Sequence, residues 1–116
     1  MRILILGGSG MIGSNLAKNL SINNEVIVTF KSSSEDYKNI DRFNSNKLFF
    51  NIDNYNLDEI RVIIRENAPD VLINAIGITK QLIETVSQDD CSYINSAFPH
   101  RLSDICIDCG IRLIHL

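Results

Sequence analysis

Within its first twenty residues the chain passes from an apolar run, Ile3-Leu4-Ile5-Leu6, through Gly7-Gly8-Ser9-Gly10-Met11-Ile12-Gly13, into a stretch of helical periodicity. A strand, a glycine turn and a helix start in immediate succession open a βαβ unit, and few folds begin that way. Residues 2–6 are short and continuously apolar, which predicts a strand covered on both faces. Ile12, Leu16 and Leu20, with Ala17 beside them, recur at helical spacing and predict one apolar helix face. Asn23-Asn24 ends that helix.

The same alternation continues. Glu25–Phe30 is rich in β-branched residues and predicts a second strand. Residues 31–46 are polar and predict a loop with a short helical turn near Tyr37–Phe43. Leu48–Ile52 predicts a third strand, closed by Asp53. Asn56 and Glu59 have capping-box spacing at the start of a helix that reaches Asn67, with Leu57, Ile60, Ile63 and Ile64 on its apolar face. Ala68-Pro69-Asp70 stops it. Val71–Ala75 predicts a fourth strand, residues 88–109 a helix kinked or jointed at Pro99, Gly110 its cap, and residues 111–116 a fifth strand. Alternating strands and helices predict an α/β fold: a Rossmann-type doubly wound parallel sheet of five strands in the order 3-2-1-4-5. With 116 residues the chain is one domain.

Composition narrows the function. The chain is 45% hydrophobic and 22% charged, with a net charge of −3 and no basic stripe, which argues against nucleic acid as a partner. No apolar run approaches bilayer length, and the apolar start is too short for a signal peptide, so neither a membrane nor an export role is expected. Three cysteines, an odd number, fit reduced thiols in the cytoplasm. Cys106-Ile107-Asp108-Cys109 falls at a predicted helix carboxyl end without a second ligand pair, so no metal or redox site is expected. Cys106 is assigned to the core, and so is His115 on its apolar strand.

The glycine turn carries chemistry. Glycines let backbone N–H groups close on a pyrophosphate, which then rests at the positive end of the following helix. Gly7, Gly10 and Gly13 shape that turn, and Met11 and Ile12 present amides to the phosphates. An acidic residue would be expected roughly 20 residues past such a turn to bind the ribose 2′-hydroxyl of NAD. Phe30-Lys31-Ser32 stands there instead. Lys31 and Ser32 suit the 2′-phosphate of NADP, although Lys31 also reads as a solvated loop residue. NADP is the expected cofactor, with NAD the alternative.

The spacing Gly7-x-x-Gly10-x-x-Gly13, Asp53 at the third strand's end, Asn74-Ala75-Ile76-Gly77 after the fourth, and Asn95 followed by Pro99 and Leu102 fall in one order. That order resembles the extended short-chain dehydrogenase/reductase family, and within it the dTDP-4-dehydrorhamnose reductase-like reductases of sugar nucleotides. The resemblance implies that Asp53 lies near the adenine amino group. It implies that Ala75, Ile76 and Gly77 line the nicotinamide ribose, and that Asn95 steadies the fourth-strand loop or a water.

It also implies a catalytic Tyr and Lys four residues apart and a Ser or Thr after the fifth strand. Tyr37, Tyr55 and Tyr93 are followed at that distance by Asp41, Glu59 and Ala97. No catalytic residue is therefore assigned. The expectation is the amino-terminal, dinucleotide-binding part of a longer NADP-dependent reductase of nucleotide-linked 4-keto-6-deoxy sugars, inactive alone and prone to self-association through an open sheet edge. Two alternatives stand beside it: a non-catalytic NADP(H)-sensing module, and the same part of a sugar-nucleotide epimerase or dehydratase.

Overall fold

In the computed structural model, which describes residues 1–38, 40–43, 46–77 and 86–116, apolar strands pair in parallel to form one twisted sheet. The strands are β1 (Arg2–Leu6), β2 (Glu25–Thr29), β3 (Lys47–Phe49), β4 (Val71–Asn74) and β5 (Arg112–His115). Their order is β3-β2-β1-β4-β5, as the alternation predicts. β1 is central, with Leu4 opposite Ile27 on one side and Leu72 on the other.

Because side chains alternate along a strand, the continuous apolar runs feed two cores. Leu4, Leu6, Ile27 and Leu72 pack with Ile60, Ile64, Phe98 and Leu102 from the helices on one face. Ile3, Ile5, Val26, Val28 and Ile73 pack with Ala17, Phe30 and Phe43 on the other. The helices are α1 (Met11–Leu20), α2 (Leu57–Asn67), α3 (Gln88–Ser92) and α4 (Phe98–Cys109).

Local signals explain where elements begin and stop. The Asn56 side chain accepts the Glu59 N–H at 3.2 Å and so caps α2. Gly110 closes α4 at φ 69°, the left-handed conformation that glycine adopts without strain. The polar stretch after β2 folds into 3-10 turns at Ser34–Asp36 and Ile40–Phe43; its residues 39, 44 and 45 lie outside the described ones.

Four expectations change. β3 ends at Phe49, because Asn51 turns to φ 59° and breaks the extended run, so Asp53 sits in a loop rather than at a strand end. The buried face of α1 is Gly13, Ser14 and Ala17, with Leu16 and Leu20 half-buried, while Ile12 is exposed. Hydropathy misses that face because Gly13 packs without a side chain. The joint expected at Pro99 within residues 88–109 falls just ahead of it: α3 and α4 meet across a π-helical stretch at Tyr93–Ala97, in which the Phe98 N–H reaches back to the Tyr93 carbonyl. Pro99 follows in the first turn of α4, the place in a helix where a residue without an N–H is tolerated. His115 is exposed rather than in the core, because β5 is an edge strand. Cys106 is buried as expected, and burial pushes its thiol up to about 11.

Candidate dinucleotide site

The carboxyl ends of β1, β2 and β4 converge on the glycine turn. Gly7 leaves β1 at φ 93°, a conformation a side chain would strain. The Gly8 N–H donates to the Thr29 carbonyl at 2.9 Å, tying the turn to β2. Gly10 is the N-cap of α1, and the first intrahelical bond runs from Ser14 N–H to the Gly10 carbonyl at 2.9 Å. The amides of Met11, Ile12 and Gly13 precede that bond. Without an acidic residue in the first turn, they form a positive helix end.

The four glycines of the turn have different reasons to be glycine. A β-carbon on Gly13 would stand 2.0 Å from the Gly7 carbonyl oxygen, and one on Gly8 2.3 Å from Val28 Cγ1. Gly7 is fixed by its φ and by Ile76 Cγ1, 3.0 Å from where its β-carbon would be. Gly10 is different: its backbone is ordinary extended, at φ −75° and ψ 162°, and a β-carbon there meets only the Gly7 oxygen, at 3.8 Å. Neither backbone strain nor packing within the protein explains that glycine. It leaves open space beside the exposed end of α1.

Clefts radiate from this point. One, of about 240 Å3, lies between Gly7, Gly10 and Lys31 on one side and Ala75–Gly77 on the other. A second, of about 540 Å3, runs from Met11 and Ile12 past Ile76 to Asn95 and Leu116. Asn95 Oδ1 lies 3.9 Å from where a Gly77 β-carbon would be, so the π-helical stretch abuts the turn after β4. A third, of about 150 Å3, is lined by Lys31, Asp53, Asn54, Tyr55 and Asp90. A roomier hollow, about 820 Å3, opens at the opposite end of the sheet around Arg2, Glu25 and Asp70 and shares none of these residues.

Of the expected site residues, Gly7, Gly10, Met11, Ile12, Lys31, Asp53, Ala75, Ile76, Gly77 and Asn95 therefore line connected clefts, and Gly13 supports the turn from behind. Asp53 is held by an Asx turn, its Oδ1 accepting the Tyr55 N–H at 2.9 Å. Ser32 is tied down: its N–H donates to the Tyr37 hydroxyl at 3.0 Å and its carbonyl accepts from Asn51 at 3.1 Å.

Sequence reasoning missed two groups. Asp36, Lys38 and Arg42 line a pocket of about 210 Å3 with Ser9, on the outer side of the glycine turn. The second group joins distant segments: the Tyr55 hydroxyl donates to Asp90, and Tyr55 stacks on Tyr93 with centroids 4.1 Å apart. The Asp90 bond, with burial and its charge behind it, pushes the Tyr55 phenol up to about 12. The bonds from Tyr55 and Ser87, with Lys31 nearby, hold the Asp90 carboxyl below its usual range. All three tyrosine hydroxyls are engaged, since that of Tyr93 donates to the Asn54 carbonyl at 2.7 Å.

Residues 3–116 match the NAD dependent epimerase/dehydratase family. The chain is 27% identical over 97% of its length to an ADP-L-glycero-D-manno-heptose-6-epimerase from Brachyspira hyodysenteriae, of which it spans 36%. A UDP-glucose 4-epimerase structure from Thermotoga maritima shares the fold with a TM-score of 0.79 at 22% identity, over 99% of this chain and 37% of that one. A hypothetical dTDP-4-dehydrorhamnose reductase from Sulfolobus tokodaii does so with 0.77 at 24% identity, over 99% and 38%. The chain thus spans a little over a third of the length of these proteins. Among the described residues no helix is long and apolar enough to cross a membrane.

Proposed function

Because the chain belongs to the NAD dependent epimerase/dehydratase family, we propose that residues 1–116 are the dinucleotide-holding domain of a larger NADP-dependent reductase of nucleotide-linked 4-keto-6-deoxy sugars. The observation that carries the site is the open space at Gly10, which a pyrophosphate on the amides of Met11 and Ile12 would fill. Ala75, Ile76 and Gly77 would border the nicotinamide ribose, where larger side chains would close the cleft, and Asn95 would brace them. Asp53 would meet the adenine amino group in the cleft it shares with Tyr55. When bound, the cofactor supplies the hydride; these residues hold and orient it.

The preference for NADP is supported by cations. Lys31 follows Phe30, which cannot accept from a ribose hydroxyl, and Ser32 adds a hydroxyl beside it. Lys38 and Arg42 face the pocket beside Ser9 against the single carboxylate of Asp36. Titration with NADP+ and NAD+ tests this, with tighter NADP+ binding expected and both weakened on the order of a hundredfold in Gly10→Val. Normal binding by folded Gly10→Val overturns the cradle.

The reductase reading rests on the resemblance, within the family, to the dTDP-4-dehydrorhamnose reductase-like proteins; Asn74–Gly77 and Asn95-x-x-x-Pro99-x-x-Leu102 resemble segments of the family as a whole. A sugar-nucleotide epimerase is the second reading, favoured by the Brachyspira relative. The full-length protein separates them: a reductase consumes NADPH in proportion to sugar, whereas an epimerase returns the hydride and consumes none.

A further inference from the structure

The buried side chain of Asn74, at the end of β4, is read atom by atom from its partners. The backbone N–H of Ile76 meets it at 3.1 Å. A peptide N–H can only donate, so the atom facing it is Oδ1 and the other is the NH2 group. That NH2 meets Nδ1 of His115 at 3.0 Å. An amide NH2 also only donates, so in this bond Nδ1 accepts, which selects the tautomer with its proton on Nε2. An Nδ1–H tautomer would set two donors face to face.

The bond is cross-strand and in register, with Asn74 opposite His115 in the β4–β5 pairing. It lies at a mechanical junction. The last sheet bond of this segment runs from Ala75 N–H to the Leu6 carbonyl at 3.0 Å; beyond it, the Ile76 N–H has the Asn74 side chain. Ala75 and Ile76 then pack directly on the glycine turn: Ile76 Cγ1 and the Ala75 carbonyl carbon lie 3.0 and 3.1 Å from where a Gly7 β-carbon would be. The same two residues wall the clefts of about 240 and 540 Å3.

We propose that His115, as the Nε2–H tautomer, is a positioning residue for dinucleotide binding. It fixes the Asn74 amide, which fixes the Ile76 N–H, which sets the Ala75–Gly77 wall against the glycine turn. Its effect on binding rests on the cofactor reading given above; the hydrogen-bond relay does not.

The test uses 15N-labelled protein and three sequences: wild type, His115→Leu, which removes the acceptor, and His115→Asn, which keeps one near the position of Nδ1. In the wild type, Nδ1 should resonate as an unprotonated, hydrogen-bonded nitrogen. In His115→Leu the Ile76 amide should shift and NADP+ should bind about tenfold more weakly, the scale of one lost hydrogen bond in a buried network. His115→Asn should restore most of that affinity. A protonated Nδ1, an unmoved Ile76 amide in His115→Leu, or equal losses in both variants would overturn the relay. Should His115→Leu fail to fold, the Nδ1 signal and His115→Asn carry the decision. If wild type binds neither dinucleotide, the cofactor reading fails while the nitrogen and amide signals still judge the relay.

Discussion

The carbonyl oxygen of Gly7 occupies the place a β-carbon of residue 13 would need, 2.0 Å away, while the position of a β-carbon on Gly10 lies clear of it at 3.8 Å. Two glycines of one motif thus do unlike jobs. Gly13 lets α1 close onto the end of β1. Gly10 keeps the ground in front of α1 empty.

Substitution separates these jobs. Gly13→Ala must displace backbone, so it should destabilise the fold by about 3 kcal/mol, the upper range for overpacking. Gly10→Ala should leave the melting temperature within a degree or two and weaken dinucleotide binding, with Gly10→Val weakening it on the order of a hundredfold, about 2.7 kcal/mol. Thermal melts beside binding titrations check this. Equal destabilisation by both alanines would remove the distinction.

Cofactor choice should respond to the outer pocket. Lys38→Ala with Arg42→Ala removes two cations and leaves Asp36 facing Ser9. NADP+ affinity should fall about tenfold or more while NAD+ affinity holds, because a charge-assisted bond to a phosphate contributes about 1.5–3 kcal/mol. Lys31→Ala should add to the loss, since Lys31 lines the adjoining cleft. Wild-type protein that binds NAD+ as tightly as NADP+ would defeat the argument.

How far the sequence foretold this arrangement depends on what kind of signal each part leaves. The strand order was legible because runs such as Ile3–Leu6 and Val71–Ile73 are apolar on both faces and feed both cores. The Asn56 cap and the Gly110 stop were legible because their chemistry is local. The position of Ile12 was not, because a glycine at 13 hides the buried face. His115 was misplaced because its apolar neighbours were read as a strand covered on both faces, although the predicted order already put that strand at an edge. Lys38 and Arg42 stand in a loop whose path no periodicity reports. The Tyr55–Tyr93 stack joins segments far apart in the chain, and only the fold brings them together.

The Tyr55–Asp90 bond beside that stack predicts a titration. Tyr55 donates to Asp90, so ionising the phenol breaks a bond and sets two anions together; its pKa rises from 10.0 to about 12. A raised folded-state value means that the contribution of Tyr55 to stability is fully present below about pH 10 and is lost as pH rises through about 12. Asp90 works in the opposite sense. Its lowered pKa contributes above 3.8, and the contribution is lost as pH falls through the folded value. Ultraviolet titration should find one phenol ionising near pH 12, and Asp90→Asn should bring it back toward 10. A Tyr55 phenol that ionises near 10 in the unsubstituted protein would contradict the Asp90 bond.

The sheet's two edges differ, and their difference predicts association. β3 presents three residues, one of them an exposed lysine, Lys47, whose Nζ donates to Asn67 Oδ1 at 2.8 Å. A short edge carrying a charge resists pairing with another chain. β5 is longer and carries an exposed Ile114, with Leu116, 55% exposed, just beyond. Its outer backbone groups and apolar side chains offer a template for a second copy. We expect the 116-residue chain to associate through β5, seen as a concentration-dependent mass in light scattering. Ile114→Lys should suppress that association without lowering the melting temperature, because the side chain it replaces faces partly outward. A lysine at the corresponding edge position of β3, Phe49→Lys, should leave association unchanged while costing stability, since Phe49 packs against the core. Monomers at every concentration, or association blind to Ile114→Lys, would rule out pairing along β5.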